Sequence, residues 1–208
     1  MKKTFFALSM CAVLMCAASA RATLIDFNIH HDGSAQQVLD IQYPSQVFQP
    51  YELPSTETGP LAGYYGSIEP GWDGEGTDRP GDGAYALESI SGVSLRRESF
   101  DAGFSMYTQG LSPILEVDGA LHEFVGAPEG SGLLWHQHLT FVADPGTPIG
   151  TILSAEFTLT DQDGLHADSA PFTLSFIVTP EPTTGLLLLI AAGAALRKNP
   201  RRSAKRSA

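Results

Sequence analysis

In this 208-residue chain the run Trp135-His136-Gln137-His138 is the group of side chains best suited to chemistry. In an extended strand, residues two apart project from one face, so His136 and His138 bring two imidazoles within reach of a single zinc or copper ion. Two imidazoles do not complete a site. The third ligand is expected from His122, with His30, His31, His166 and the carboxylate of Glu123 as alternatives. A pair of histidines that binds nothing has the same spacing, so the reading turns on whether a third group converges on the pair.

A second group of side chains fits a different ion. Between Glu69 and Gly83 the chain places Asp73, Glu75, Asp78 and Asp82 among five glycines. Calcium takes six to eight oxygens in loose geometry, and carboxylates on flexible backbone meet that need. The acids do not follow the alternate-position spacing of an EF-hand loop, and ordinary turn chemistry accounts for Asp and Gly there as well. Asp161 and Asp163 beside Gly164 form a shorter acidic turn of the same kind.

Motifs for catalysis are missing. The chain has no Gly-x-Ser-x-Gly, no His-Glu-x-x-His, no phosphate-binding Gly-x-x-x-x-Gly-Lys-Ser/Thr and no dinucleotide fingerprint. A pair of acids for glycoside hydrolysis could arise in the fold from so many carboxylates, which keeps a secreted carbohydrate-active enzyme as an alternative. The expectation is a protein that is not an enzyme.

The elements that must hold these residues read as strands. From Thr23 onward short apolar or alternating runs are cut by Gly, Pro, Asp and Ser, and no helical period lasts beyond about two turns before the C-terminal segment. Strands are expected over 23–29, 36–43, 84–90, 93–100, 103–107, 114–117, 120–125, 133–143, 151–160 and 171–178. In one of them Leu153, Ala155, Phe157 and Leu159 share a face, and in another Phe172, Leu174, Phe176 and Val178 do so, which predicts two neighbouring strands of one sheet. The segment 44–83 carries six prolines and is expected to be a long ordered loop, docked by its aromatic residues and without central strands. The fold class that follows is all-β, an antiparallel β-sandwich or jelly roll.

The ends of the chain are of another kind. Met1-Lys2-Lys3, the apolar stretch 5–18 and the small residues after it predict an N-terminal signal peptide over 1–22, with Thr23 leading the exported domain 23–178. Cleavage after Ala20 is the competing site. Both cysteines, Cys11 and Cys16, lie inside that signal, so the body has no thiol for disulfide, metal or catalysis. Nine of the twelve basic residues also lie in the ends, and between 23 and 178 only three arginines face 22 acids, a formal balance of −19. A body of that charge repels nucleic acid and anionic lipid.

At the other end, over 179–208, Pro180-Glu181-Pro182 is followed by the apolar run 185–196 and then by Arg197, Lys198, Arg201 and Arg202. This order resembles the PEP-CTERM sorting signal of Gram-negative bacteria that form exopolysaccharide. The resemblance implies recognition of the Pro-Glu-Pro triplet by an exosortase-type processing enzyme after passage through the general secretion machinery. It also implies a transient stay in the inner membrane and delivery to the cell surface or extracellular matrix, with exopolysaccharide as a partner. The 14 residues from Thr183 to Leu196 make a short C-terminal transmembrane helix of about 21 Å against a hydrocarbon core of roughly 30 Å, with the basic residues stopping transfer on the cytoplasmic side. Within the body, Trp135-His136-Gln137-His138-Leu139 and Ser169-Ala170-Pro171-Phe172-Thr173-Leu174 resemble pieces of surface-anchored domains in zinc-regulated members of the same group. Taken together, the expectation is an exported surface or matrix protein of structural or adhesive type, with a metal-binding exoprotein, zinc or calcium being the ion, as the alternative.

Overall fold

The computed structural model of the chain describes residues 26–42, 50–56, 59–88, 92–125 and 132–180. Among these residues the fold is all-β, with twelve strands and one turn of 3-10 helix at Pro80–Asp82. In chain order the first six strands are β1 (Asp26–His31), β2 (Leu39–Gln42), β3 (Tyr51–Pro54), β4 (Tyr65–Ser67), β5 (Gly71–Glu75) and β6 (Val93–Phe100). The other six are β7 (Phe104–Thr108), β8 (Pro113–Ile114), β9 (Leu121–Glu123), β10 (Leu133–Ala143), β11 (Ile152–Asp161) and β12 (Phe172–Thr179). None of the helices among the described residues is long and apolar enough to cross a membrane. The predicted signal peptide, and the sorting segment from Glu181 through Arg202, lie outside the described residues.

The strands form two sheets. One runs β2-β1-β5-β10-β7-β8, with β4 also paired to β10, and the other runs β3-β12-β11-β6-β9. Neither is purely antiparallel, which corrects the expected pairing: β1 runs parallel to β5, and β3 runs parallel to β12. The partners in both parallel pairs are far apart in sequence, so no tight turn obliges them to run in opposite directions. The neighbours foreseen from their alternation, β11 and β12, do pair antiparallel, from Ile152 opposite Ile177 to Phe157 opposite Phe172.

The segment 44–83 departs most from its sequence reading. It contributes β3, β4 and β5, and β5 is central, hydrogen-bonded to β1 on one side and β10 on the other. Proline forbids a central strand only where it removes a ladder donor. Pro70 and Pro80 flank β5 and the five residues Gly71–Glu75 contain none, so every donor the ladder needs is present. Conversely, of the strand expected over 84–90, the described residues 84–88 form no strand and take part in isolated bridges of Ala84 with Arg79 and of Tyr85 with His31.

Alternation decides which side of each strand enters the core. Along β11, Leu153, Ala155, Phe157 and Leu159 are all buried, as are Leu174, Phe176 and Val178 of β12. Rings from the two sheets meet there: Phe176 lies 4.8 Å from Phe141 and 4.9 Å from Phe104, and Phe27 meets Tyr51 edge-on at 6.2 Å. Each buried aromatic removes on the order of 150–250 Å² from water, which is the main source of stability in a body whose sequence offers no disulfide.

Two glycines of β5 set how closely its neighbours approach. A Cβ on Gly74 would run into the Trp135 indole, which is stacked on Phe124 at 4.6 Å with the planes 4° apart. The indole therefore needs the missing side chain at residue 74. Gly74→Ala should destabilise the protein by about 1–3 kcal/mol through overpacking. Gly81→Ala, at a position with nothing within 4 Å of the added atom, should stay within about 0.5 kcal/mol in the same denaturant titration.

Candidate metal centre

On the side of β10 turned away from the core, side chains from three strands line up in two rows. Asp26 of β1, Gly71 of β5 and His138 of β10 make one row, and Asn28, Asp73 and His136 make the next. A register shift between Leu133 and Trp135 precedes them, after which Trp135, Leu139 and Phe141 enter the core and His136 and His138 take the opposite face. In the first row the middle residue has no side chain. A Cβ on Gly71 would collide with Asp26 Oδ1 and the His138 ring, so glycine lets the carboxylate and the imidazole lean toward each other across β5.

Each histidine has its Nδ1 engaged by an acceptor. His136 Nδ1 lies 2.6 Å from Asp73 Oδ1, and His138 Nδ1 lies 3.0 Å from the Ile68 carbonyl oxygen. A carbonyl or carboxylate oxygen accepts, so Nδ1 carries the proton in both rings and Nε2 is the edge each offers as a lone-pair donor. The rings stand edge to face, 4.8 Å between centroids. The Ile68 carbonyl is in position because β4 and β5 follow one another along the same edge of β10 and residues 68–70 bridge them.

One ligand atom from each of Asp26, His136 and His138 lies within 4.8 Å of the others, and no other His, Cys, Asp or Glu set among the described residues does this. His138 Nε2 is 3.7 Å from Asp26 Oδ1, near the roughly 3.4 Å between ligands of a tetrahedral zinc ion. Asp26 Oδ1 is buried and accepts no hydrogen bond, a polar atom in need of a positive partner. Burial pushes the Asp73 carboxyl up, against the pull of its hydrogen bond from His136. Two nitrogens and one carboxylate oxygen suit zinc or a neighbouring first-row ion better than calcium, which selects oxygens. The Asp73–His136 contact is the carboxylate–histidine support that orients metal-bound imidazoles.

The third group is therefore Asp26, and His122 is elsewhere. His122 sits on β9 in the other sheet, edge-on to Phe124 at 6.1 Å and against the Gln137 side chain. Gln137 is the residue between the two histidines, and alternation sends it the opposite way. Burial lowers the proton affinity of His122 there. Asp26 was legible only as part of the polar alternation Asp26, Asn28, His30 along β1, with no local motif to mark it.

The four acids read as a calcium loop do not converge. Asp73 and Glu75 are strand residues, the first bonded to His136 and the second to Asn28 Nδ2 at 2.9 Å and to the Arg79 guanidinium. Asp78 accepts from the Ala86 amide at 2.9 Å, and Asp82 faces Arg79 at 3.8 Å. In the shorter turn, Asp161 accepts from the Asp163, Leu165 and His166 amides and from His166 Nδ1, at 2.7–3.1 Å. Those four donors occupy the lone pairs a cation would use.

Compared with protein-family profiles, curated proteins and solved structures, the chain matches none.

The Asp161 turn gives a pH dependence with a definite sign. Burial alone would raise this carboxyl, but the hydrogen bonds from His166, Asp163 and the His166 amide outweigh burial and hold it below 3.8. A group depressed in the folded state stabilises fully above its unfolded value of about 4 and loses that contribution as pH falls through the folded value. Asp161→Ala should cost about 3 kcal/mol at neutral pH by urea titration. Asp161→Asn should flatten the acid limb of the stability curve below about pH 4.

Proposed function

We propose that this chain is an exported β-sandwich protein that binds a transition-metal ion of the zinc type through His136, His138 and Asp26. On this reading it acts as a non-enzymatic component of the cell surface or extracellular matrix. The observation that carries the metal reading is the convergence of Asp26, His136 and His138 with both Nδ1 atoms already engaged by acceptors. That hydrogen bonding fixes the tautomer in which both imidazoles present Nε2, before any ion arrives. Strand backbone holds all three residues, so little ordering remains to be done on binding.

Delivery rests on the ends of the chain: the basic and apolar N-terminus, and Pro180-Glu181-Pro182 ahead of an apolar run and a basic cluster. The body between them is strongly acidic, and a bound divalent cation gives such a surface one point of attraction for carboxylate-bearing exopolysaccharide.

Zinc at a hundred times its dissociation constant should stabilise the full chain by about 2.7 kcal/mol, read as a rise in melting temperature. Calcium at the same concentration should leave it unchanged. His136→Ala with His138→Ala should abolish the zinc response, and Asp73→Asn should weaken affinity roughly 10- to 100-fold by calorimetry. An equal zinc response in the double variant would refute the ligand assignment. For delivery, Glu181→Ala should leave a larger, membrane-bound precursor, and an unchanged mature mass would rule out processing through the triplet.

A further inference from the structure

We infer that a cleft at the β7-β8 edge of the first sheet is a binding site for one neutral sugar ring. The cleft has a volume of about 190 Å³ and is bounded by β6, β7, β8 and the two residues after β8. At about 30 Å³ for each water in the liquid, that is room for several waters or one small ring. It exists because the edge strand ends early. Met106 pairs with Ile114, and two residues further along the ladder Glu116 would stand opposite Phe104. Leu115 turns the chain out of the ladder instead, at φ 53°, and Leu111 on the other side of β8 is left-handed too, at φ 60°. Leucine keeps such a backbone only where its surroundings impose it, and the Leu115 side chain is buried in the core.

Arg97 of β6 lines the cleft and is held there on several sides. Its Nε donates to Asp118 Oδ1 at 2.7 Å, and its Nη1 donates to the Leu115 and Glu116 carbonyl oxygens, both at 3.0 Å. The guanidinium also lies over the Phe100 ring, 4.2 Å from its centroid. Nη2, with two N–H groups, has no acceptor among the described residues. The exposed Glu116 borders the same cleft, and its carboxylate forms no ion pair with Arg97. Two fixed donors and a carboxylate acceptor thus share one cleft without satisfying each other.

Charge selects the ligand. Asp118 already matches the charge of Arg97, and Glu116 adds a further negative one, so an anion would enter against the local balance and against a strongly acidic body. A cation would leave the Nη2 protons without an acceptor. A hydroxyl group both donates and accepts, so neighbouring hydroxyls on one ring can take a proton from Nη2 and give one to Glu116. Tyr107, Pro113 and Ile114 supply carbon surface for the C–H face of that ring. Because Arg97 is held before the ligand arrives, little side-chain ordering remains to oppose binding.

The test is an NMR titration of the full chain with D-glucose, D-galactose, D-mannose and D-xylose, one at a time. A chelator is present throughout, which keeps the outcome independent of the metal reading. At least one sugar should shift the Ser105, Tyr107 and Glu116 amides saturably, with a dissociation constant on the order of 1–10 mM. Glu116→Ala, at an exposed side chain, should weaken that binding at least about tenfold, and Glu116→Gln, which keeps an acceptor, should weaken it less. D-glucuronate should bind more weakly than the best neutral sugar. No shift of those amides by any of the four at about 50 mM would overturn the assignment. Undiminished binding by Glu116→Ala, or tighter binding of D-glucuronate, would overturn it as well.

Discussion

The pleat of β10 is the constraint on which the rest depends. Its eleven residues alternate, so the same strand that drives Trp135, Leu139, Phe141 and Ala143 into the core must turn His136, His138 and Thr140 the other way. A slip of one residue would bury imidazoles among phenylalanines and expose an indole, a cost no local rearrangement could offset. Packing of the apolar face therefore sets the position of the polar one. Because β10 pairs with β5, β4 and β7, it also fixes what stands beside each histidine.

On β5 the small residues matter as much as the large ones matter on β10. Gly74 faces the core side, where the Trp135 ring lies across it, and Gly71 faces the outer side, where Asp26 and His138 lean together. One strand thus leaves space on both surfaces of the sheet. The loss of side-chain packing, and the backbone entropy that glycine adds to the unfolded chain, are offset by ladder bonds to β1 and β10 and by rings that fill the space.

Those same glycines explain what could and could not be read from the chain. Strands 151–160 and 171–178 stood out because their apolar residues alternate, and they occur one residue further along, at Ile152–Asp161 and Phe172–Thr179. Residues 71–75 did not, since two glycines and flanking prolines resemble a loop when each residue is weighed by propensity alone. Tertiary pairing decided that strand, and no local pattern records it. The candidate centre was half visible for a related reason. His136 and His138 are a local pair, whereas Asp26 joins them through a parallel pairing of β1 with β5 that sequence spacing does not encode. Asp73 looked like a loop acid until the register placed it opposite His136.

The molecule places four of its histidines in two kinds of surroundings, and the difference lies in the hydrogen bonds to Nδ1. His136 and His138 each give that proton to an oxygen, so both present lone pairs on the same side of a carboxylate, which is an arrangement for a cation. His31 and His166 differ from one another: one accepts at Nδ1 from a backbone amide and the other donates to a carboxylate, so the single proton sits on Nε2 in the first ring and on Nδ1 in the second. Two lone pairs beside a carboxylate call for a metal ion, whereas His31, whose Nδ1 lone pair is already held by an amide, has none to offer. The residue type sets the range of chemistry available to each site. The oxygen or amide that the fold puts behind each ring selects from that range.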